Sequence, residues 1–445
     1  MKKTLRIFSF HIIILLLVLV ILEVHSSNFR IEIGKAEASS LNGWLGNWQF
    51  RKSHIINPVL GAGTNYQVQI KVHYGSGIDG GEDVYLNGKC RSDFGDIRFA
   101  SSVPFIEFYR ITIPSEAHDA YGLGYPVTYI FTIPSASSNL KAYKNTGTVW
   151  QQLPEKTSND LFNGIECVRF DYSNNKAYVS VAFAENSDYI DVKITNQDGN
   201  VVNVEYKEMA QYYDNRIAAV VAAADDWTGG SRHQNFMRSC DVFQSKQVWL
   251  TVGVITQSYQ GDGAPDWHDI QQQINEGYIE VASHSRTHSS IPYDNYDSEI
   301  GGSKDDLLGN LSLPSPYKKG ENEYVWCWIE PYGASDSNVR QKLGQYKYLI
   351  ARSTDRLVTS FATWDSIGNL YERVGVTVDT FGNSLDDLNS LFDNAYANGG
   401  IYHFYFHPNE YDWTSENVIS RHLDHIKGKK DVWYVGFGAY TPITM

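Results

Sequence analysis

From Trp44 to Val204, apolar and polar residues alternate in short runs such as Tyr66-Gln67-Val68-Gln69-Ile70-Lys71-Val72, and Gly, Asp, Asn and Ser clusters separate the runs. A period of two bounded by turn residues predicts antiparallel strands, and their number and spacing predict an all-β sandwich. No stretch of this region carries a helical period. After Tyr212-Tyr213-Asp214-Asn215 the pattern changes, and apolar β-type runs alternate with longer amphipathic segments, as in βα units around a parallel sheet. Strands are predicted at 217–224, 248–255, 278–283, 324–329, 348–351, 373–378, 401–406 and 432–435. Helices are predicted at 233–245, 267–276, 296–311, 337–344, 385–397 and 415–426. Seven or eight such repeats in about 230 residues fit a distorted (β/α) barrel better than an open sheet.

The N-terminus pairs a basic segment, Met1-Lys2-Lys3-Thr4-Leu5-Arg6, with an apolar run from Ile7 to Leu22. That is the order of a secretory signal, although the run is shorter than the roughly 20 residues a spanning helix needs. No small-x-small cleavage site follows directly, so an uncleaved membrane anchor stays open beside a cleaved signal. The expected organisation is a signal or anchor at 1–26, a β-sandwich accessory region at 44–206 and a barrel at 214–445. The expected location is outside the cell, secreted or held at the cell surface or membrane.

Charge narrows the partners. With 37 Lys and Arg against 51 Asp and Glu the net charge is −14, and no basic stripe is present to neutralise phosphates, which argues against nucleic acid. Aromatic residues make up 14% of the chain; most belong to β-sheet cores, and the remainder suit a protein that stacks rings on sugars. The four cysteines, Cys90, Cys167, Cys240 and Cys327, show no Cys-x-x-Cys spacing, so neither a zinc knuckle nor a redox motif is indicated. Outside the cell two disulfides are allowed, with a pairing the sequence does not define.

Three polar clusters fall beyond predicted strand ends, where barrel enzymes place their active sites. The first is Ala224-Asp225-Asp226-Trp227, where adjacent carboxylates after a buried strand call for a cation or a shared proton. A helix N-cap with a first-turn Asp is the bland alternative. The second is His284-Ser285-Arg286-Thr287-His288, in which two histidines four apart can converge on one ion while Ser285 and Thr287 supply supporting hydrogen bonds. The third is His407-Pro408-Asn409-Glu410 after the run 401–406. Alternation puts His403, Tyr405 and His407 on one face, with only His407 at the strand end and His403 a packing residue.

In order and spacing these clusters resemble the polysaccharide deacetylase family, also called carbohydrate esterase family 4. Asp225-Asp226, the His284 to His288 motif, Pro331-Tyr332-Gly333 and the late strand ending in His407 stand in that family's order, over about 217–438. The resemblance implies a metal-dependent hydrolase of non-peptide carbon–nitrogen bonds or of esters, removing acetyl groups from a poly- or oligosaccharide. It implies that Asp226, His284 and His288 hold a divalent metal, zinc with cobalt or manganese as alternatives. It implies further that Asp225 is the general base, the Tyr332 backbone N–H an oxyanion donor and His407 the acid for the departing group. Two departures stand out. Ile329 occupies the place of an arginine that steadies the base in the family, and Arg352, at another strand end, is the candidate substitute. The Asp-Trp motif that supports the catalytic histidine has only Trp364-Asp365 as its nearest counterpart. Ile329 keeps a catalytically weak or inactive glycan-binding surface protein open as an alternative, with Glu330 placed to repel anionic sugars. Hydrolysis of a non-sugar amide is a third reading. Separately, Trp48 to Glu107 resembles an uncharacterised β-domain of prokaryotic surface proteins, through Trp48-Gln49-Phe50-Arg51-Lys52, Asn65-Tyr66-Gln67-Val68 and Asp93-Phe94-Gly95-Asp96-Ile97-Arg98-Phe99.

Overall fold

The computed structural model describes residues 32–37, 70–80, 82–94, 97, 106–112, 126–147, 149–157, 161–162, 164–183, 187, 189–353, 373–374, 376–377 and 384–444. The N-terminal signal or anchor, Asp365 and most of the N-terminal resemblance lie outside the described residues. Among the described residues no helix is long and apolar enough to cross a membrane.

Among the described residues the N-terminal part holds a short parallel pair, Lys71–His73 with Asp83–Tyr85, and two antiparallel sheets. One runs in the order Glu32–Glu37, Ile106–Thr112, Tyr189–Thr195, Lys141–Asn145 and Gln151–Gln152; the other in the order Glu205–Met209, Val127–Thr132, Lys176–Val181 and Cys167–Asp171. The predicted alternation is visible in the core. Tyr109, Ile111, Val192 and Ile194 of the first sheet join Tyr129, Phe131, Val168 and Val179 of the second in one buried cluster. The paired strands begin before Trp44 and run on past Val204.

The C-terminal part is α/β. Its parallel sheet comprises β1 (Ala218–Trp227), β2 (Leu250–Val254), β3 (Ile279–Ser283), β4 (Cys327–Ile329), β5 (Ile350–Ser353), β6 (Arg373–Val374), β7 (Val376–Thr377), β8 (Ile401–Phe406) and β9 (Val432–Tyr434). The order is β6-β5-β4-β3-β2-β1-β8-β7, and β9 pairs with the start of β1. β1 is buried along its whole length, the pattern of a strand covered on both faces, and its Ala and Val run explains why. The segment predicted as one strand at 373–378 faces both ways: Arg352 pairs with Arg373, while Phe404 pairs with Val376. The two ends of the sheet therefore meet at one stretch of chain, and the sheet is curled, as a distorted (β/α) barrel requires.

The helices are α1 (Gly230–Lys246), α2 (Trp267–Glu276), α3 (Ser303–Asn310), α4 (Ser337–Gln345), α5 (Leu385–Asn398), α6 (Val418–Ile426) and α7 (Phe437–Thr444). Asp266 caps α2, and Ser384 and Asn417 form capping boxes at α5 and α6. The helix predicted at 296–311 divides into a π-helical turn, Asp297–Gly302, and α3. α7 was not predicted: it is short and largely apolar, without the polar face that makes a surface helix legible. Cys167, Cys240 and Cys327 are buried free thiols.

Glu280 of β3 is buried beneath α7. It accepts Thr251 Oγ1 at 2.7 Å, Gly438 N at 2.9 Å and Ala439 N at 3.1 Å. A Cβ at Gly436 or Gly438 would come within 2.7 Å of a Glu280 carboxyl oxygen, so glycine is what allows this approach. Burial pushes the Glu280 carboxyl up from its usual 4.5 to about 7, against the pull of these hydrogen bonds. Because the folded value is the higher one, the protonated form stabilises the fold below pH 4.5. That contribution is lost as pH rises to about 7, by roughly 3 kcal/mol in all. The Glu280→Gln variant is expected to lack this decline. Urea unfolding of both proteins between pH 5 and 8 checks it, and parallel stability curves would refute it.

Candidate metal centre

Asp225 and Asp226 lie inside the C-terminal end of β1, not in the loop beyond it, because β1 continues to Trp227 where the sequence pattern ended it at Ala224. Asp226 sits in the left-handed region at φ 75°, which breaks the extended alternation at the end of β1. His284 follows β3 directly, and the loop that carries His288 is tightened by left-handed backbone at Ser285 and His288. Three unusual backbone conformations so close together mark a site the surrounding structure has to enforce.

Asp226 Oδ1 lies 3.2 Å from His284 Nε2 and 3.2 Å from His288 Nε2. Ligands of a tetrahedral ion with bonds of about 2.0–2.1 Å stand roughly 3.3 Å apart, so these spacings fit a divalent ion held by all three groups. The Nδ1–H of His284 donates to Ile329 O at 2.8 Å, which leaves the Nε2 lone pair turned toward Asp226. Burial, reinforced by His284, pushes the His288 imidazole down to about 3, so it is neutral and able to ligate.

The supporting partners are only partly those expected. Ser285 Oγ accepts the His288 N–H at 2.8 Å. Thr287 instead joins Glu299, whose carboxylate accepts the Thr287 hydroxyl at 2.9 Å and the backbone N–H groups of Arg286 and Thr287 at 3.0 Å. Glu299 thus pins the histidine loop from the π-helical turn, while Arg286 makes a two-pronged contact with Asp306 at 2.8 Å on each side. The sequence analysis singled out neither acid; both fall within the helix predicted at 296–311.

Asp225 is buried, and its Oδ2 receives the guanidinium of Arg352. Its Oδ1 is also buried and has no hydrogen-bond partner among the described residues. Arg352 is in β5 itself, next to Ile329 in the register of β4 and β5, so the cation missing from one strand arrives from its neighbour. Glu330 is 1% exposed and does not face the solvent, so it is not placed to repel a sugar.

Tyr332 occupies the turn Pro331–Gly333 at φ 55° with its side chain 57% exposed. The turn closes through Gly333 N to Glu330 O at 2.9 Å and Ala334 N to Pro331 O at 3.2 Å, neither of which uses the Tyr332 amide. Two rings flank the imidazole of His288: Tyr332 at 4.5 Å and Tyr259 at 4.4 Å between centroids. Tyr259 was not anticipated. Its hydroxyl is pushed up to about 12, by burial first and then by Asp226, and stays protonated. His407 directly follows β8, half-buried and near enough to act electrostatically on both Asp226 and His288. His403 is fully buried and stacks on Phe437 at 5.0 Å, a packing residue as its depth implied.

No protein-family model and no curated protein matches the sequence. Solved structures do align with the chain at low identity, many of them polysaccharide deacetylases. A polysaccharide deacetylase from Bacillus cereus is 13% identical, with a TM-score of 0.29, over 64% of this chain and 95% of its own. A family 4 acetyl xylan esterase from Clostridium thermocellum, solved with a cobalt ion, is 13% identical with a TM-score of 0.32, over 50% of this chain and 89% of its own. A family pseudoenzyme from Bacillus anthracis is 12% identical with a TM-score of 0.30, over 51% and 66%. With every one of these TM-scores below 0.5, the functional reading rests on the residues of the site.

Proposed function

We propose that the C-terminal part is a metal-dependent hydrolase that removes acetyl groups from a carbohydrate. The observation that carries this reading is the convergence of Asp226, His284 and His288 at ion-ligating spacing, beside a second buried carboxylate, Asp225, that has one oxygen uncommitted. A divalent ion at this centre supplies Lewis acidity toward a carbonyl oxygen and makes water a nucleophile at neutral pH.

The chain's own residues account for the rest. Asp225 takes a proton from the attacking water through Oδ1, while Arg352 holds Oδ2 and fixes the carboxylate plane. The Tyr332 amide donates to the oxygen that becomes negative. His407 gives a proton to the departing nitrogen or oxygen. Tyr259 and Tyr332 wall the pocket on the His288 side and offer ring faces to a sugar.

Acetate release from acetylated oligosaccharides by the metal-loaded protein tests the reading, with a panel of simple amides run alongside. Hydrolysis of the amides alone would assign a non-sugar substrate, and release from neither would return the protein to glycan binding without turnover. The absence of an arginine at Ile329 was one reason, beside the attached β-domain, to consider the inactive alternative, and the Arg352 contact with Asp225 answers that one. His407→Ala is expected to keep its metal and lose about 10²-fold in turnover. Unchanged kcat would show that another group protonates the leaving atom.

A further inference from the structure

Arg352 is completely buried, an unusual position for a guanidinium. It commits Nη2 to Asp225, while Nε and Nη1 are buried with no hydrogen-bond partner among the described residues. One carboxylate with a single contact is a poor return for desolvating this cation, because a buried ion pair is stabilising only when its remaining N–H groups are also satisfied. Among the described residues a further contact has to hold the group in place.

The face of the guanidinium supplies it. Arg352 Cζ lies 4.0 Å from the centroid of the Tyr405 ring. A cation over an aromatic face is most favourable where water is excluded, and Tyr405 is itself only 6% exposed. The topology explains how the two meet. Arg352 of β5 pairs with Arg373, and Tyr405 of β8 pairs with Thr377, so they flank the single stretch of chain on which the curled sheet closes. Sequence separation hides the contact, although Tyr405 shares a strand face with His407.

We propose that Tyr405 is a positioning residue for the reaction: its ring seats the Arg352 guanidinium so that one N–H points at Asp225 Oδ2 and Oδ1 is left uncommitted. Tyr405 acts through Arg352 and touches no substrate. Its effect on turnover rests on the deacetylase reading, whereas the seat itself does not.

The test uses the full chain, metal-loaded, as Tyr405→Phe, Tyr405→Leu, Arg352→Met and the Leu/Met double variant. Phenylalanine keeps the ring face, so kcat should stay within about threefold of the parent. Leucine should lower kcat by about ten- to thirtyfold, the size of a desolvated cation–π contact, with KM and metal content little changed. In the Arg352→Met background the leucine substitution should then cost no further kcat. Urea unfolding of the parent, Tyr405→Leu, Arg352→Met and the double variant should show a coupling of similar size in the unfolding equilibrium constant. A phenylalanine variant as poor as leucine would overturn the proposal, since the hydroxyl would then be what matters. So would losses that multiply in the double variant, the mark of an ordinary packing residue. Should the leucine variant not fold, Tyr405→Met takes its place in every arm. If the parent releases no acetate from any substrate, the functional reading fails while the unfolding cycle still decides whether Tyr405 seats Arg352.

Discussion

Asp225→Asn should retain the divalent ion and lose about 10²–10⁴-fold in turnover, the range spanned by groups that move a proton in the transition state. Asparagine keeps the shape of the side chain and an oxygen for Arg352, but it cannot accept a proton from water. None of the three converging ligand atoms belongs to Asp225, so metal content is the control that separates a base from a ligand. The same substitution leaves the buried Arg352 guanidinium without its anion, and breaking one side of a buried pair costs about 3–5 kcal/mol. A lower unfolding midpoint is therefore expected together with the loss of rate. Elemental analysis, urea unfolding and acetate release on one preparation give all three quantities. Turnover near that of the parent would show that Asp225 is not the base, and loss of the metal would make it a ligand.

What could be read from the sequence was local. An all-Ala/Val run announced β1, short polar clusters after apolar runs pointed to the candidate metal centre, and the capped amphipathic helices α2, α4 and α5 stood close to their predicted limits. The missing information was of two kinds. Some of it concerned backbone conformation: the left-handed turns at Asp226, Ser285 and His288 aim the ligands, and no residue there is a glycine that would advertise them. The rest was tertiary. Glu299 grips the histidine loop from 11 residues beyond His288 through a π-helical turn that has no sequence signature. Arg352 reaches Asp225 over a separation of 127 residues, and Tyr405 reaches Arg352 across the closing stretch of the sheet. Strand-end position made Arg352 the candidate substitute for the absent arginine, but only the register of β4 against β5 explains why it can serve: Arg352 is Ile329's immediate neighbour. Glu330 misled for the converse reason, since a charge beside a motif looks exposed until the fold buries it.

His284→Ala and His288→Ala are each expected to abolish stoichiometric metal binding and, with it, nearly all turnover. Removing a group that merely supports a ligand already costs about 10–100-fold in affinity or activity, so loss of a ligand itself should exceed that. The two variants should not be equal. His284 is fixed by its bond to Ile329 O, and its removal also leaves that buried carbonyl without this donor. His288 is held through its ring neighbours Tyr259 and Tyr332 and through its backbone bond to Ser285, and its Nδ1 has no hydrogen-bond partner among the described residues. The His284 variant should accordingly be the less stable apo-protein. Binding to the folded state alone adds about 2.7 kcal/mol when free metal is at 100 times its Kd. Added zinc or cobalt should therefore raise the unfolding midpoint of the parent and leave both variants where they are, a readout that does not depend on knowing the sugar. Cobalt adds an optical check, because an ion in a distorted tetrahedral site absorbs visibly more strongly than the hydrated ion. A full complement of metal in both variants, with a metal-dependent midpoint preserved, would remove Asp226, His284 and His288 as the ligand set and the hydrolase reading with them.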